Sequence, residues 1–199
     1  MKRHKLLLPW NSSTIIEHVL AAWKSSRVTR VVIVIRGSDR ELQEACRNVG
    51  VDLVLPDFDP PDMKISIQHA LTHIQDKYDP TESDAWMLAP ADMPRLSSAV
   101  IDQVLGADRS DNAVTGKRKI IVPTVRGQAG HPVLFPWLMF REVFSLEPDE
   151  GVNALVKRHP TTDLVLETDD VLADLDTPAD YERLQAAETP TVKTERRIG

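Results

Sequence analysis

Residues 88–97 read LAPADMPRLS and set one carboxylate, Asp92, between two prolines just beyond an apolar run. Pro90 and Pro94 restrict the backbone around it, so the chain itself defines where the carboxylate sits. Such a group can hold a divalent cation, because Mg²⁺ prefers oxygen ligands and usually takes one or two protein carboxylates with substrate phosphates as the others. The same aspartate can equally well cap the following turn, and the loop alone does not choose between the two.

A second acidic stretch, VLADLDTPADYERL, supplies Asp174, Asp176 and Asp180. Thr177 and Asp180 form a capping box with Pro178 at the first helical position, which assigns Asp180 to helix structure. Asp174 and Asp176 remain, and carboxylates two apart on an extended segment point the same way. Between the two acidic stretches lies RGQAGHPVLFP. There Gly127 and Gly130 permit close backbone approach, and His131 precedes a proline that restricts its backbone. A histidine satisfied within a turn would look the same.

Other arrangements of chemically able residues lead nowhere. Asp57, Asp59 and Asp62 suggest a calcium loop, but Asp62 stands at its sixth position and Gln68 at its twelfth, where glycine and a bidentate glutamate are needed. His69 and His73 share a helix face with no third ligand close by. Cys46, the single cysteine, has no intrachain partner and reads as a small core residue. Arg196 and Arg197 are solubilising charges.

The 199-residue chain, 42% hydrophobic and 27% charged, has the composition of one globular domain. Its net charge of −6 argues against nucleic acid as a partner, since sequence-independent binding to phosphates needs a basic face. The apolar run near the start is only Leu6–Leu8, too short for a signal peptide, and no segment reaches the ~20 apolar residues of a membrane span. A cytoplasmic protein without a membrane partner is expected.

The elements that must carry these residues alternate. Thr14–Glu17 forms a capping box for a first helix with Ile15, Ile16, Val19, Leu20 and Trp23 at helical spacing. VVIVI (31–35) and VDLVL (51–55) read as strands covered on both faces, separated by a helix capped by a Ser38–Glu41 box and ending near Gly50. A helix through Ile67, Ala70, Leu71 and Ile74, a strand over 85–89 and a helix capped by Ser97 follow. Further strands are expected over 120–125, 163–167 and 171–174, then a last helix from Pro178 and a disordered tail over 188–199. This order predicts a doubly wound, mostly parallel α/β sheet, with ligands at the carboxyl ends of its strands.

In order and spacing, KLLLPW, LAPADMP, GQAGHPVLF, DEG and DLDTPADY resemble the molybdenum cofactor cytidylyltransferases and related nucleotidyltransferases of the nucleotide-diphospho-sugar transferase fold. The resemblance covers residues 1–187. It implies an Mg²⁺-dependent enzyme that transfers a nucleotidyl group from a nucleoside triphosphate, CTP most of all, to a phosphate-bearing acceptor such as molybdopterin, releasing pyrophosphate. It also implies roles. Lys5 would reach the nucleotide phosphates, Asp92 would bind the metal, and Pro90 and Ala91 of the same loop would lie at the nucleotide, as would Ser66 of MKISIQHAL. His131 matches the GHP histidine of the pocket, while Asp149 and Gly151 match a GDxGA segment near the acceptor. Asp174, with Asp176 as the other candidate, would complete the metal site. Pro148 and Asn153 depart from the glycine and arginine of that GDxGA segment, which leaves the acceptor open.

Proteins of this kind begin with a buried strand and a glycine-rich loop, LAAGxSxRMGxxK, running into LLLP. Met1 and Lys5 fall on the Met and final Lys of that signature, with Lys2 where its last glycine stands. The expectation is therefore a sheet lacking its first strand and a site lacking its phosphate loop, either because the start is assigned too late or because the chain is degenerate. Guanylyl or sugar-phosphate transfer on the same scaffold, and non-catalytic binding, stay open as alternatives.

Overall fold

The structure, a computed structural model, describes residues 4–115 and 118–188. A 3₁₀ turn, Lys5–Leu7, leads to a minimal hairpin of β1 (Pro9–Trp10) and β2 (Ser13–Thr14) and then to α1 (Ile15–Lys24). The expected capping box is present. Glu17 N donates to Thr14 Oγ1 at 3.4 Å, and Thr14 N donates back to Glu17 Oε2 at 2.9 Å. β3 (Val32–Val34), α2 (Arg40–Val49) and β4 (Asp52–Val54) follow, with α2 closed by Gly50 in the left-handed conformation at φ 74°. The α2 cap is not Ser38. Asp39, one residue later, accepts from Leu42 N, because its carboxylate reaches the exposed amides of the first turn.

Next come α3 (Met63–Tyr78), β5 (Ala85–Leu88), α4 (Ser98–Thr115), β6 (Ile120–Val125), β7 (Gln128–Ala129), β8 (Val133–Pro136), α5 (Phe140–Val143), α6 (Asn153–Arg158), β9 (Thr161–Val165) and α7 (Pro178–Glu188). The α/β class expected from the sequence is the one observed. Residues 189–199, the core of the expected tail, lie outside the described residues. No described helix is long and apolar enough to cross a membrane.

The strands form two separate pieces. β3 and β4 pair in parallel, and β5, β8, β6 and β7 form a second sheet with β9 parallel to β6. β8 is central, antiparallel to both β5 and β6, and all four of its residues are buried. Its sequence, VLFP, is bracketed by prolines and reads as a loop, so the strand was not foreseen. No strand lies over 171–174. The segment begins with a 3₁₀ turn, Asp169–Leu172, and then runs extended over the core without a ladder.

Helices cover both faces. Ile67 and Leu71 of α3 pack with Trp86, Ile120 and Phe135, where the Trp86 and Phe135 rings stack with centroids 4.3 Å apart. On the other face Ile16 and Leu20 of α1 pack with Leu42 and Cys46 of α2, and Val104 of α4 packs on Ile121 and Leu134. Burial, together with the charges of Glu17 and Asp39, pushes the Cys46 thiol up to about 12, which suits a core residue. Between β3 and β5 lies a cavity of about 620 Å³ lined by both strands. Val32, Ile33 and Val34, expected to be covered on both faces, are consequently only half-buried.

Candidate active site

Three segments far apart in the chain converge on Asp92. The aspartate follows β5 and is held by its neighbours Met93 and Leu96, each 1% exposed, with Leu96 N bonded to Met93 O at 3.1 Å. Lys5 sits on the first 3₁₀ turn, which His4 caps through Nδ1 and buried Leu7 anchors. The Lys5 ammonium donates to Asp92 Oδ2 at 2.5 Å and to the Leu175 carbonyl at 3.0 Å, and stands 3.9 Å from Asp176 Oδ1. Leu175 N in turn bonds to Asp92 O at 3.1 Å. The second acidic stretch is thus stitched to the first by backbone as well as by side chain.

Ala173 and Leu175 are buried while Asp174 and Asp176 are exposed, so both carboxylates lie on one outward face, as their spacing of two requires. Asp174 makes no hydrogen bond or ion pair among the described residues. Asp92 Oδ1 is buried and has no hydrogen-bond partner, although its other oxygen is paired. A buried carboxylate oxygen left over in this way could accept a hard cation, although among the described residues no three His, Cys, Asp or Glu side chains gather into a group able to hold a metal by themselves.

His131 joins this group. Its backbone N donates to Val171 O at 2.9 Å, and its Nδ1 lies 3.4 Å from Leu88 O, at the end of β5. The peptide to Pro132 is cis. Burial holds the imidazole below its ordinary pKa, against the Leu88 carbonyl and the charges of Asp174 and Asp92, which pull it up. Gly130 makes the approach possible, since a Cβ there would sit 2.5 Å from Val171 O. Pro90 and Ala91 line the large cavity beside the site, and Ala91 packs against the cluster containing Leu7 and Ile35.

Ser66, Asp149 and Gly151 form a different neighbourhood. Ser66, in the first turn of α3, donates to Asp62 O at 3.1 Å and lines a cleft of about 350 Å³ with Arg36 and Pro60. Lys64, only 8% exposed, donates to the carbonyls of Glu147 and Pro148 at 2.5 and 3.0 Å and so fastens the turn bearing Asp149 and Gly151 to α3. Neither Asp149 nor Gly151 shares a hydrogen bond or ion pair with Lys5, Asp92 or His131. Sequence reasoning missed Lys64, and it missed Arg95, which pairs with Asp170 at 2.7 Å and ties the Asp92 loop to the 3₁₀ turn before Asp174. Lysine at the start of an otherwise apolar helix face was the only available signal for the first.

Residues 1–163 match the family described as the MobA-like NTP transferase domain. The chain belongs to that family. Its class is therefore nucleotidyltransferase, and the site described above occupies the carboxyl end of β5, where such α/β sheets bind ligands. No curated protein matches it by sequence. Among solved structures it is similar to Rv0371c from Mycobacterium tuberculosis H37Rv, with 23% identity and a TM-score of 0.77 over 94% of this chain and 91% of that one. The manganese complex of Rv0371c superposes with a TM-score of 0.75 at 24% identity, over 93% of each chain. A cytidylyltransferase from Leptospira borgpetersenii has 19% identity and a TM-score of 0.70, over 92% of this chain and 78% of that one. At these identities the likeness speaks for the fold.

Proposed function

We propose that this nucleotidyltransferase moves a cytidylyl group from CTP to the phosphate of a small acceptor such as molybdopterin, with pyrophosphate leaving, and that Mg²⁺ assists. The observation that carries the reading is the convergence of Lys5, Asp92 and the Asp174–Asp176 segment, with one buried carboxylate oxygen unpartnered. Two carboxylates and a flexible ammonium are the side chains that phosphate transfer by positioning and charge neutralisation needs. The metal, held by Asp92 with Asp174 or Asp176, would offset charge on the phosphates.

The chain's own groups have separable tasks. Lys5 offers a compact positive charge whose half-exposed side chain can turn from Asp92 to an incoming phosphate. His131, kept toward its neutral form by burial, offers a ring nitrogen for hydrogen bonding at neutral pH without adding charge. Ser66, Pro90 and Ala91 are proposed for the nucleotide, and Asp149 and Gly151 for the acceptor. The choice of CTP leans on the cytidylyltransferase neighbour, and that of a divalent metal on the manganese complex.

The test is pyrophosphate release by the full chain with each of the four NTPs, with and without Mg²⁺, in the presence of molybdopterin. Release with CTP alone is the expected result. Release with GTP, or with a sugar phosphate as acceptor, would move the reading within the class. Saturable nucleotide binding with no release would leave a non-catalytic binding protein.

A further inference from the structure

The buried face of α2 carries one amide among apolar side chains. Leu42, Ala45 and Cys46 pack in the cluster with Ile16, Leu20 and Ile35, and Gln43 is buried beside them at 4% exposed. Its side-chain amide is fully engaged. Nε2 donates to Arg36 O and to Gly37 O, each at 3.0 Å, and Oε1 accepts from Arg47 Nη2 at 3.0 Å. Two carbonyls at one end and a guanidinium at the other allow the amide a single orientation.

What this amide holds is the loop that follows β3. Ile35 N bonds to Val54 O at 3.0 Å and Asp39 N to Arg36 O at 3.1 Å, so the Arg36 backbone is fixed from the neighbouring strand, from the start of α2 and from Gln43. Its side chain is not fixed. The Arg36 guanidinium makes no hydrogen bond among the described residues and stands 4.0 Å from Asp59 Oδ2, with 66% of the side chain exposed. A pair so open to solvent holds it weakly. Arg36 lines the cleft of about 350 Å³ that also contains Ser66, walled by Pro60 and Pro61 and by Met63. Met63 is 64% exposed and offers a polarisable thioether to the face of a flat ring.

A guanidinium donates only, through a planar fork, so on a nucleobase it selects two neighbouring acceptors. Cytosine presents N3 and O2, and guanine N7 and O6. Uracil sets N3–H between its two oxygens, and adenine sets an amino donor beside N7. The phosphates of a nucleotide belong with Lys5 and Asp92, which leaves its base for the separate cleft at Ser66. We propose that Gln43 is a positioning residue for base selection: it fixes the Arg36 backbone so that the guanidinium meets two adjacent acceptors, admitting CTP or GTP and rejecting UTP and ATP. The inference rests on the nucleotide reading of Ser66 given above, but not on the choice of CTP.

The experiment measures Kd for each of the four NTPs by calorimetry on the full 199-residue chain with Mg²⁺. CTP or GTP should bind at least about tenfold more tightly than UTP and ATP. Arg36→Ala, at an exposed position, should leave Tm unchanged and lower that ratio by about tenfold, and Arg36→Lys, which lacks the fork, should not restore it. Gln43→Met keeps the length but donates to neither carbonyl, and should lower the same ratio by roughly threefold or more; in an Arg36→Ala background it should change the ratio by less than about twofold. A merely structural Gln43 would lower Tm and weaken all four nucleotides alike. Should Gln43→Met fail to fold, the two Arg36 variants still decide. Preference for UTP or ATP, equal affinity for all four, binding of none, or a ratio indifferent to Arg36 or Gln43 would overturn the inference, and pyrophosphate release with CTP would in the last case leave the function proposed above standing. A GTP preference that depends on Arg36 would remove CTP from that function and uphold the inference.

Discussion

At the scale of single residues, Asp92 is the position where charge and shape separate most cleanly. Asp92→Asn keeps the volume and the bond from Lys5 but gives up the negative oxygen that a hard cation needs. Stability should change little, because the Lys5 side chain is 49% exposed and half-open ion pairs contribute at most about 1 kcal/mol. Mg²⁺-dependent CTP affinity, measured by calorimetry, should fall at least about tenfold, equivalent to ~1.4 kcal/mol. An unaltered magnesium titration would remove Asp92 from the site. Asp92 was legible because a buried strand and two prolines announce a defined loop end. Its partner was not, since nothing in local pattern joins residues 87 apart, and only the ordered motifs pointed to Lys5. Lys64 was hidden for a different reason. A buried lysine whose ammonium serves two carbonyls has the same sequence as a solvated one.

At the scale of elements, two substitutions of glycine by alanine should act in opposite directions. Gly130→Ala brings a Cβ to 2.5 Å from Val171 O, so the turn carrying His131 must shift, at a cost of about 1–3 kcal/mol. Gly106→Ala lies in α4 with its nearest neighbour, Arg27 Nη2, 3.9 Å away, and should stabilise by about 0.5–1 kcal/mol through helix propensity. Paired denaturant melts check both signs. The strand β4 carries its own titrating group. Burial raises the Asp52 carboxyl, but hydrogen bonds from Tyr78 and Lys77 and the charges of Lys77 and His73 outweigh it and hold the group below its ordinary 3.8. A depressed carboxylate adds stability above its unfolded pKa that is lost as pH falls through the folded one. Asp52→Asn should therefore lower stability by about 1 kcal/mol at pH 7, a gap that closes below pH 3.8. A gap that persists unchanged at pH 3 would mean the loss is one of packing. The helices were readable from caps and spacing, but VLADLD misled because an extended segment lying on the core alternates buried and exposed residues just as a paired strand does.

At the scale of the whole molecule, the divided sheet governs behaviour. An apolar cavity of about 620 Å³ opening between two sheet edges should bind ANS at neutral pH while near-UV circular dichroism remains native, which separates it from a molten globule. Absence of ANS enhancement would mean that the cavity closes in solution. The division was expected only through the resemblance, whose proteins place a buried strand before the LLLP segment, whereas β8 at the centre of the larger sheet was disguised by the prolines at its ends. The joining of Lys5 to Leu175 O and Asp92 also bears on time. Contacts across 170 residues close late, because the entropy of so long a loop must be overcome before any bond rewards it. On a ribosome, Lys5 is made 170 residues before Leu175 and waits until Leu175 has left the exit tunnel. A nascent chain that stops short of Leu175 therefore lacks the junction of Lys5, Asp92 and Leu175, and the nucleotide site proposed here has no chance to close before that residue is in place.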